Sequence, residues 1–160
     1  MVRKEELKDV DVLTFLSDDM IEKLVREIKT SRFAEGDVIF KEGDDALCFY
    51  VLKWGKVLLE KKLSDNLSIY TGEIKPGSAF GWSGFLDEGS YTLDASCAEE
   101  CEVFYIERKT IRRLLDEDHS MGYLFSQSVL RVVIDRLDYR TEQLLRIVTD
   151  HPDIKTLVED

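Results

Sequence analysis

The chain has 160 residues, 44% of them hydrophobic and 34% charged, and its 22 basic and 33 acidic residues leave a net charge of −11. That length suits one domain with a core of its own, and no apolar run reaches the roughly 18 residues that a membrane span needs. Nucleic-acid binding requires clustered Lys and Arg, so the acidic excess argues against direct contact with DNA or RNA.

The start, Met1-Val2-Arg3-Lys4-Glu5-Glu6, is charged and lacks the apolar stretch of a secretory signal, which predicts a cytoplasmic protein with no membrane partner. Residues 5–15 carry Leu7, Val10, Val12, Leu13 and Phe15 in a mixed pattern, read as a short helix and a turn. Ser17 is a good N-cap, and Asp18 and Asp19 suit the positive end of a helix dipole. A helix is predicted from Asp18 to about Lys29, with Met20, Ile21, Leu24, Val25 and Ile28 on one face.

From Ser31 the apolar period changes to two. Strands are predicted over 37–41, 46–53, 56–62, 67–74, 91–97 and 101–106, with Gly36 and Gly43 at turns that need positive φ. Trp54-Gly55 and Lys75-Pro76-Gly77 are further turn signals. Short strands at close spacing indicate a barrel or jelly roll. After Ile106 the helical period returns, with a short helix over 108–116 and a long one over about 120–148. Leu130, Leu137 and Leu144 recur every seven residues, and Val133, Arg140 and Ile147 form a companion stripe broken at Arg140. Asp150-His151-Pro152 stops the helix and leaves a short tail.

The segment from Phe33 to Ile106 carries more. It contains Phe33-Ala34-Glu35-Gly36-Asp37-Val38-Ile39-Phe40-Lys41-Glu42-Gly43-Asp44, Phe49-Tyr50-Val51-Leu52, Pro76-Gly77, Phe80-Gly81-Trp82-Ser83 and Glu102-Val103-Phe104-Tyr105-Ile106. In order and spacing these pieces resemble the cyclic-nucleotide-binding domain, the sensor module of the catabolite activator protein family and of cyclic-nucleotide-dependent kinases and channels. The resemblance implies a mainly β fold with flanking helices: a double-stranded β-helix (jelly roll) over about 31–107, an N-terminal helix, and C-terminal helices over about 108–149. Residues 1–150 would form the domain and 151–160 a tail. In such proteins the long helix often pairs with its twin, which implies a homodimer through the helix of about 120–148. A helix packed only on its own roll is the other reading. Transcription regulators of this type continue into a helix-turn-helix domain of roughly 70 residues, for which 160 residues leave no room.

Physically, the segment Phe80-Gly81-Trp82-Ser83-Gly84-Phe85-Leu86 can form one helical turn with free backbone N–H groups, or serve merely as a tight connection. By resemblance it is the turn that cradles the cyclic phosphate. The family's Glu, which holds the ribose hydroxyl, falls on Trp82. The Arg that neutralises the phosphate falls on Tyr91, and the Ser or Thr beside it is matched by Thr92. Loss of a guanidinium removes a charge-assisted bidentate contact, so cyclic AMP and cyclic GMP are expected to bind weakly.

Two readings of Trp82 and Tyr91 stay open. The pocket is closed by aromatic packing, leaving a degenerate dimerisation scaffold. Alternatively it is re-specified for another small molecule, with Gly81, Trp82, Ser83, Tyr91 and Thr92 as its lining, Trp82 as a stacking platform and the hydroxyls as hydrogen-bonding groups. Arg136, on the long helix, is a candidate to face this pocket and replace the missing charge. Pairing with acids such as Asp135 or Glu142 is the plainer reading.

Three cysteines, Cys48, Cys97 and Cys101, do not suggest a secreted disulfide scaffold. On one strand Cys97 and Cys101 would stand about 13 Å apart, too far to bond. The resemblance places a turn at Ala98-Glu99-Glu100, and small buried hydrophobes remain the expectation. The two histidines, His119 and His151, lie outside the predicted strands, so no metal site is expected, nor any cofactor. No nucleophile–base arrangement stands out, and a non-enzymatic role is predicted. A sensor half acting with a separate DNA-binding partner is a further reading.

Overall fold

A computed structural model describes residues 2–64, 66–86 and 88–151. The N-terminal stretch forms two 3-10 turns, Lys4–Leu7 and Asp11–Leu13, that bury Leu7, Val12 and Leu13. Helix α1 (Asp18–Val25) follows, and the Ser17 hydroxyl accepts the Met20 N–H at 3.4 Å. It ends four residues before the predicted Lys29. The chain there enters β1 (Lys29–Phe33), whose five residues all pair with the strand at the end of the roll. The sequence reading missed β1 because Lys-Thr-Ser-Arg-Phe offers no apolar alternation, and this edge strand is largely exposed.

The remaining strands are β2 (Val38–Phe40), β3 (Cys48–Trp54), β4 (Val57–Ser64), β5 (Leu67–Ile74), β6 (Ala79–Phe80), β7 (Asp94–Cys97) and β8 (Cys101–Glu107). They build two four-stranded sheets in the orders β1-β8-β3-β6 and β2-β7-β4-β5, with every ladder between them antiparallel among the described residues. The predicted strand 91–97 begins only at Asp94. Its first residues are held by the loop after β2 instead, with Tyr91 N–H on Asp44 O at 3.0 Å and Gly43 N–H on Tyr91 O at 2.9 Å. Gly36 and Gly43 take the positive φ expected of them, +84° and +87°. Helices α2 (Arg108–Glu117) and α3 (His119–Thr149) close the described chain, and Asp118 caps α3 by accepting the Met121 N–H at 3.0 Å. The predicted tail, apart from His151, lies outside the described residues.

Period-two alternation divides the sheet containing β3 and β8 between two cores. Phe49 and Val51 of β3, with Phe104 and Ile106 of β8, pack toward Leu7, Leu24, Ile111, Met121 and Phe125 of the helices. Leu52 and Val103 face the interior of the roll, where they meet Phe40, Val57, Ile74, Phe80 and Ala95. Burial on both faces is why Phe49-Tyr50-Val51-Leu52 reads as a continuous apolar run. Phe125 sits 5.7 Å from Phe49 and 5.4 Å from Phe85, ring to ring, and each such pair adds about 0.5–1.5 kcal/mol beyond its buried area. These contacts fix the first third of α3 on the roll. Farther along, Leu130, Leu137 and Leu144 are all more than half exposed.

Candidate functional site

A cavity of about 460 Å³ opens between the roll and the middle of α3. The roll supplies Phe40, Leu59, Tyr91, Thr92 and Leu93. The 3-10 turn Trp82–Phe85 and its cap supply Gly81, Trp82 and Ser83, and α3 supplies Val133, Arg136, Leu137 and Arg140. All six residues singled out from sequence, namely Gly81, Trp82, Ser83, Tyr91, Thr92 and Arg136, therefore border one space. The cavity is open, not filled by Trp82 and Tyr91.

The turn can sit where it does only because two of its residues lack side chains. Gly81 has φ +67°, and a Cβ there would stand 3.0 Å from the Tyr50 ring, 3.2 Å from Phe40 and 3.3 Å from Tyr91. Gly84 is pressed onto β3 so closely that a Cβ would fall 2.0 Å from the Cys48 carbonyl oxygen.

Tyr91 secures that contact from the other side. Its hydroxyl donates to Cys48 O at 2.8 Å and accepts from Cys48 N–H at 3.2 Å, and its ring stacks on Phe40 with centroids 3.8 Å apart. Burial pushes the phenol up from its ordinary pKa. This corrects the expectation that Tyr91 offers a hydrogen-bonding group to a ligand: the hydroxyl is committed to the backbone, and the residue is a wall. Thr92 is exposed at the rim, with its carbonyl accepting from Lys61 Nζ at 3.4 Å. Ser83 is half-buried.

Arg136 points into the cavity instead of pairing along its own helix with Asp135 or Glu142. Its guanidinium lies 4.3 Å from the centre of the Trp82 ring and donates to the Ala79 carbonyl, which also accepts the Trp82 indole N–H at 3.3 Å. Ala79 belongs to the edge strand β6, and its N–H donates to the Asp11 carboxylate at 3.2 Å. One residue at a sheet edge is thus gripped on both sides, its N–H by an N-terminal acid and its carbonyl by a C-terminal helix. Burial pushes Arg136 down to about 10, with Arg140 adding repulsion and Asp11 opposing both. Burial raises Asp11 as well, against the hydrogen bonds it accepts and the attraction of Arg136. Because Arg136 covers one face of the indole, Trp82 is a bed for a cation more than a bare stacking platform.

The cavity lining contains two guanidiniums, Arg136 and Arg140, and no carboxylate among the described residues. In a chain of net charge −11, that is a local reversal of sign and a place for an anion. Sequence reasoning missed Arg140, although the signal was present: it is the residue that breaks the Val133–Ile147 stripe. Val133 and Arg140 both face the cavity, whereas Ile147 is 71% exposed.

Residues 30–118 match the family model of the cyclic nucleotide-binding domain. The chain is 28% identical over 109 residues to a cAMP-dependent protein kinase regulatory subunit from Hypocrea atroviridis, covering 68% of this chain and 22% of that protein. It is 24% identical over 133 residues to a CRP-like cAMP-activated global transcriptional regulator from Mycobacterium tuberculosis, covering 82% of this chain and 58% of the other. The chain thus spans less than two thirds of either relative. A solved cyclic nucleotide-binding domain from Methylobacillus flagellatus superposes with a TM-score of 0.79 over 89% of this chain and 84% of its own, at 13% identity. That likeness shows a shared fold.

Proposed function

The chain belongs to the cyclic nucleotide-binding domain family, and on that premise we propose that it is a ligand-sensing regulatory domain whose cavity takes an anionic small molecule other than cyclic AMP or cyclic GMP, or takes those two only weakly. The observation that carries this reading is the open cavity with Arg136 and Arg140 on its wall and no carboxylate among its described lining residues. By resemblance the family's ribose-binding Glu and phosphate-binding Arg fall on Trp82 and Tyr91, and Tyr91 is spent on the Cys48 backbone. A hydrogen bond to a charged group contributes about 1.5–3 kcal/mol, so each lost grip weakens a cyclic mononucleotide roughly tenfold or more. The open cavity favours a sensor over a dimerisation scaffold closed by its own aromatic residues.

The output runs through α3. Arg136 ties that helix to the turn at Trp82 and to the sheet edge at Ala79, so an anion competing for the guanidinium biases how the helix packs. A homodimer through α3 fits the exposed positions Leu130, Ile134, Leu137, Leu144 and Val148, which follow four- and three-residue spacing. Sedimentation at micromolar concentration is expected to show a dimer that Leu144→Arg, outside the lining of the cavity, dissociates.

Small molecules released from the purified protein and identified by mass spectrometry test the sensor reading. A phosphorylated or carboxylated compound should be retained by the natural protein and lost from Arg136→Met. Protein that releases nothing, and whose melting temperature is unmoved by cyclic AMP, cyclic GMP, cyclic di-AMP and cyclic di-GMP, would refute it.

A further inference from the structure

A second cavity, of about 370 Å³, lies beside the first between β5 and α3, and it shares Leu59, Arg136 and Arg140 with it. Its remaining walls come from Tyr70 to Lys75 and from Tyr139. Each volume falls within the roughly 300–1,000 Å³ of small-molecule sites, and so do both taken as one.

One residue on the floor of the second cavity lacks a side chain. Gly72 stands directly opposite Leu59 in the β4–β5 ladder, and cross-strand partners share a face of the sheet. Its backbone is not in the left-handed region, and a Cβ there would meet only the Arg140 guanidinium, at 3.8 Å. Nothing in the backbone or the packing therefore demands glycine. A strand-interior glycine of this kind marks a surface that something approaches closely. The register also slips next to it: Leu59 pairs with Gly72 and Glu60 with Tyr70, so Thr71 is bulged, its hydroxyl donating to Leu59 O at 2.8 Å. Bulges are frequent beside binding sites.

Charge and aromatic residues complete the pattern. Lys75 joins the two arginines around the second cavity, and its one acid, Glu73, is engaged by Lys56 at 3.8 Å. Tyr70 and Tyr139, both more than half exposed, stand at this cavity as Trp82 and Phe40 stand at the first. The exposed rings of the second space offer aromatic surface for a base, the first space offers the edge and open face of Trp82 beside Arg136, and the guanidiniums between the two suit phosphate.

Resting on the sensor reading above, we infer that the two cavities form one bipartite site for a ligand of the dinucleotide class. One nucleoside occupies the Trp82 side, the other the Gly72 side, and the phosphates lie along Arg136 and Arg140 with Lys75 at the far end. A cyclic mononucleotide fills only the first half.

Isothermal titration of the full chain with cyclic di-AMP, cyclic di-GMP, cyclic AMP and cyclic GMP tests this. At least one dinucleotide is expected to bind ten times more tightly than either mononucleotide. Gly72→Leu, which fills the second cavity, should weaken that dinucleotide at least tenfold and leave mononucleotide binding within twofold. Lys75→Gln, an exposed position that does not threaten folding, should weaken the dinucleotide alone by about threefold or more. Mononucleotide binding with no response to either dinucleotide would overturn the bipartite site and leave the sensor reading standing. So would a dinucleotide whose affinity ignores both substitutions. Binding of none of the four overturns the bipartite site, and overturns the sensor reading as well if the purified protein releases no anionic compound.

Discussion

Gly84→Ala isolates the contact on which the geometry of the cavity depends. In the native chain the 3-10 turn Trp82–Phe85 lies directly on the backbone of β3, and a Cβ at position 84 would stand 2.0 Å from Cys48 O, 2.3 Å from Cys48 C and 2.9 Å from Phe49 N. Ordinary contact begins at 3.4 Å, so the two segments must separate by more than an ångström. No flexible side chain can yield, since every atom met is backbone. Nor can the Cys48 carbonyl tilt away without cost, because the Tyr91 hydroxyl holds it and the Cys48 N–H as well. Overpacking costs about 1–3 kcal/mol in general, and a clash against fixed backbone belongs at the top of that range. We therefore expect a loss of about 3 kcal/mol in urea unfolding followed by tryptophan fluorescence. Gly36→Ala is the control: its φ is +84° but nothing lies within 4 Å of an added Cβ, so only the backbone penalty of about 1 kcal/mol applies. If Gly84→Ala cost no more than Gly36→Ala, the turn would not be seated on β3 as described.

Three further outcomes follow from other parts of the molecule. Tyr91→Phe should lose about 1–2 kcal/mol in the same unfolding assay, since it strips two hydrogen bonds from the Cys48 peptide; an unchanged stability would mean that the hydroxyl is not committed there. Glu6 is held at about 2 by hydrogen bonds from Lys53 and the Arg3 backbone N–H, and Glu102 is held low chiefly by Trp54 and then by Lys53. Carboxyls depressed on folding contribute stability above their unfolded value of about 4.3 and lose it as pH falls through the folded value. Melting temperatures of the natural chain and Lys53→Met should therefore differ at pH 6 and converge toward pH 2.5, and a gap that persists in acid would refute the linkage. Burial and the neighbouring Cys101 push the Cys97 thiol up to about 12, and both residues are buried. Thiol titration of the native protein should detect at most Cys48, with all three reacting in denaturant; rapid labelling of two native thiols would contradict this.

Much of the fold was legible because it is written in period and punctuation. Strand 67–74 and the long helix fall within a residue of their predicted limits, and Ser17 caps α1 as its hydroxyl suggested. The strands that were missed had no such signal. β1 is polar and at an edge, and β6 is two residues long. For the cavity, resemblance located the turn and the Tyr91-Thr92 pair but assigned Tyr91 a role by analogy with a charged residue. Only coordinates show its hydroxyl turned to the backbone. Phe40 and Leu59 were invisible as lining because an inward strand residue beside a cavity has the same chemistry as one in the core.

Arg140 was readable in principle, and the reason bears on how the domain works. A guanidinium in an otherwise apolar helical stripe must either reach solvent or find an anion-accepting space. Here it lies at the far end of the stretch of α3 that borders open cavity, beyond the packed contact around Phe125. The transition falls between Val129, which is buried, and Leu137, which is 62% exposed, and Arg136 bridges it by holding Ala79 and Trp82. On the proposed sensor reading, an anion entering the cavity would act directly on α3 and would compete with the Ala79 carbonyl for the Arg136 guanidinium. Since the indole N–H still satisfies this carbonyl when the guanidinium leaves, the exchange does not strand a buried acceptor, and the helix can change partners at low cost.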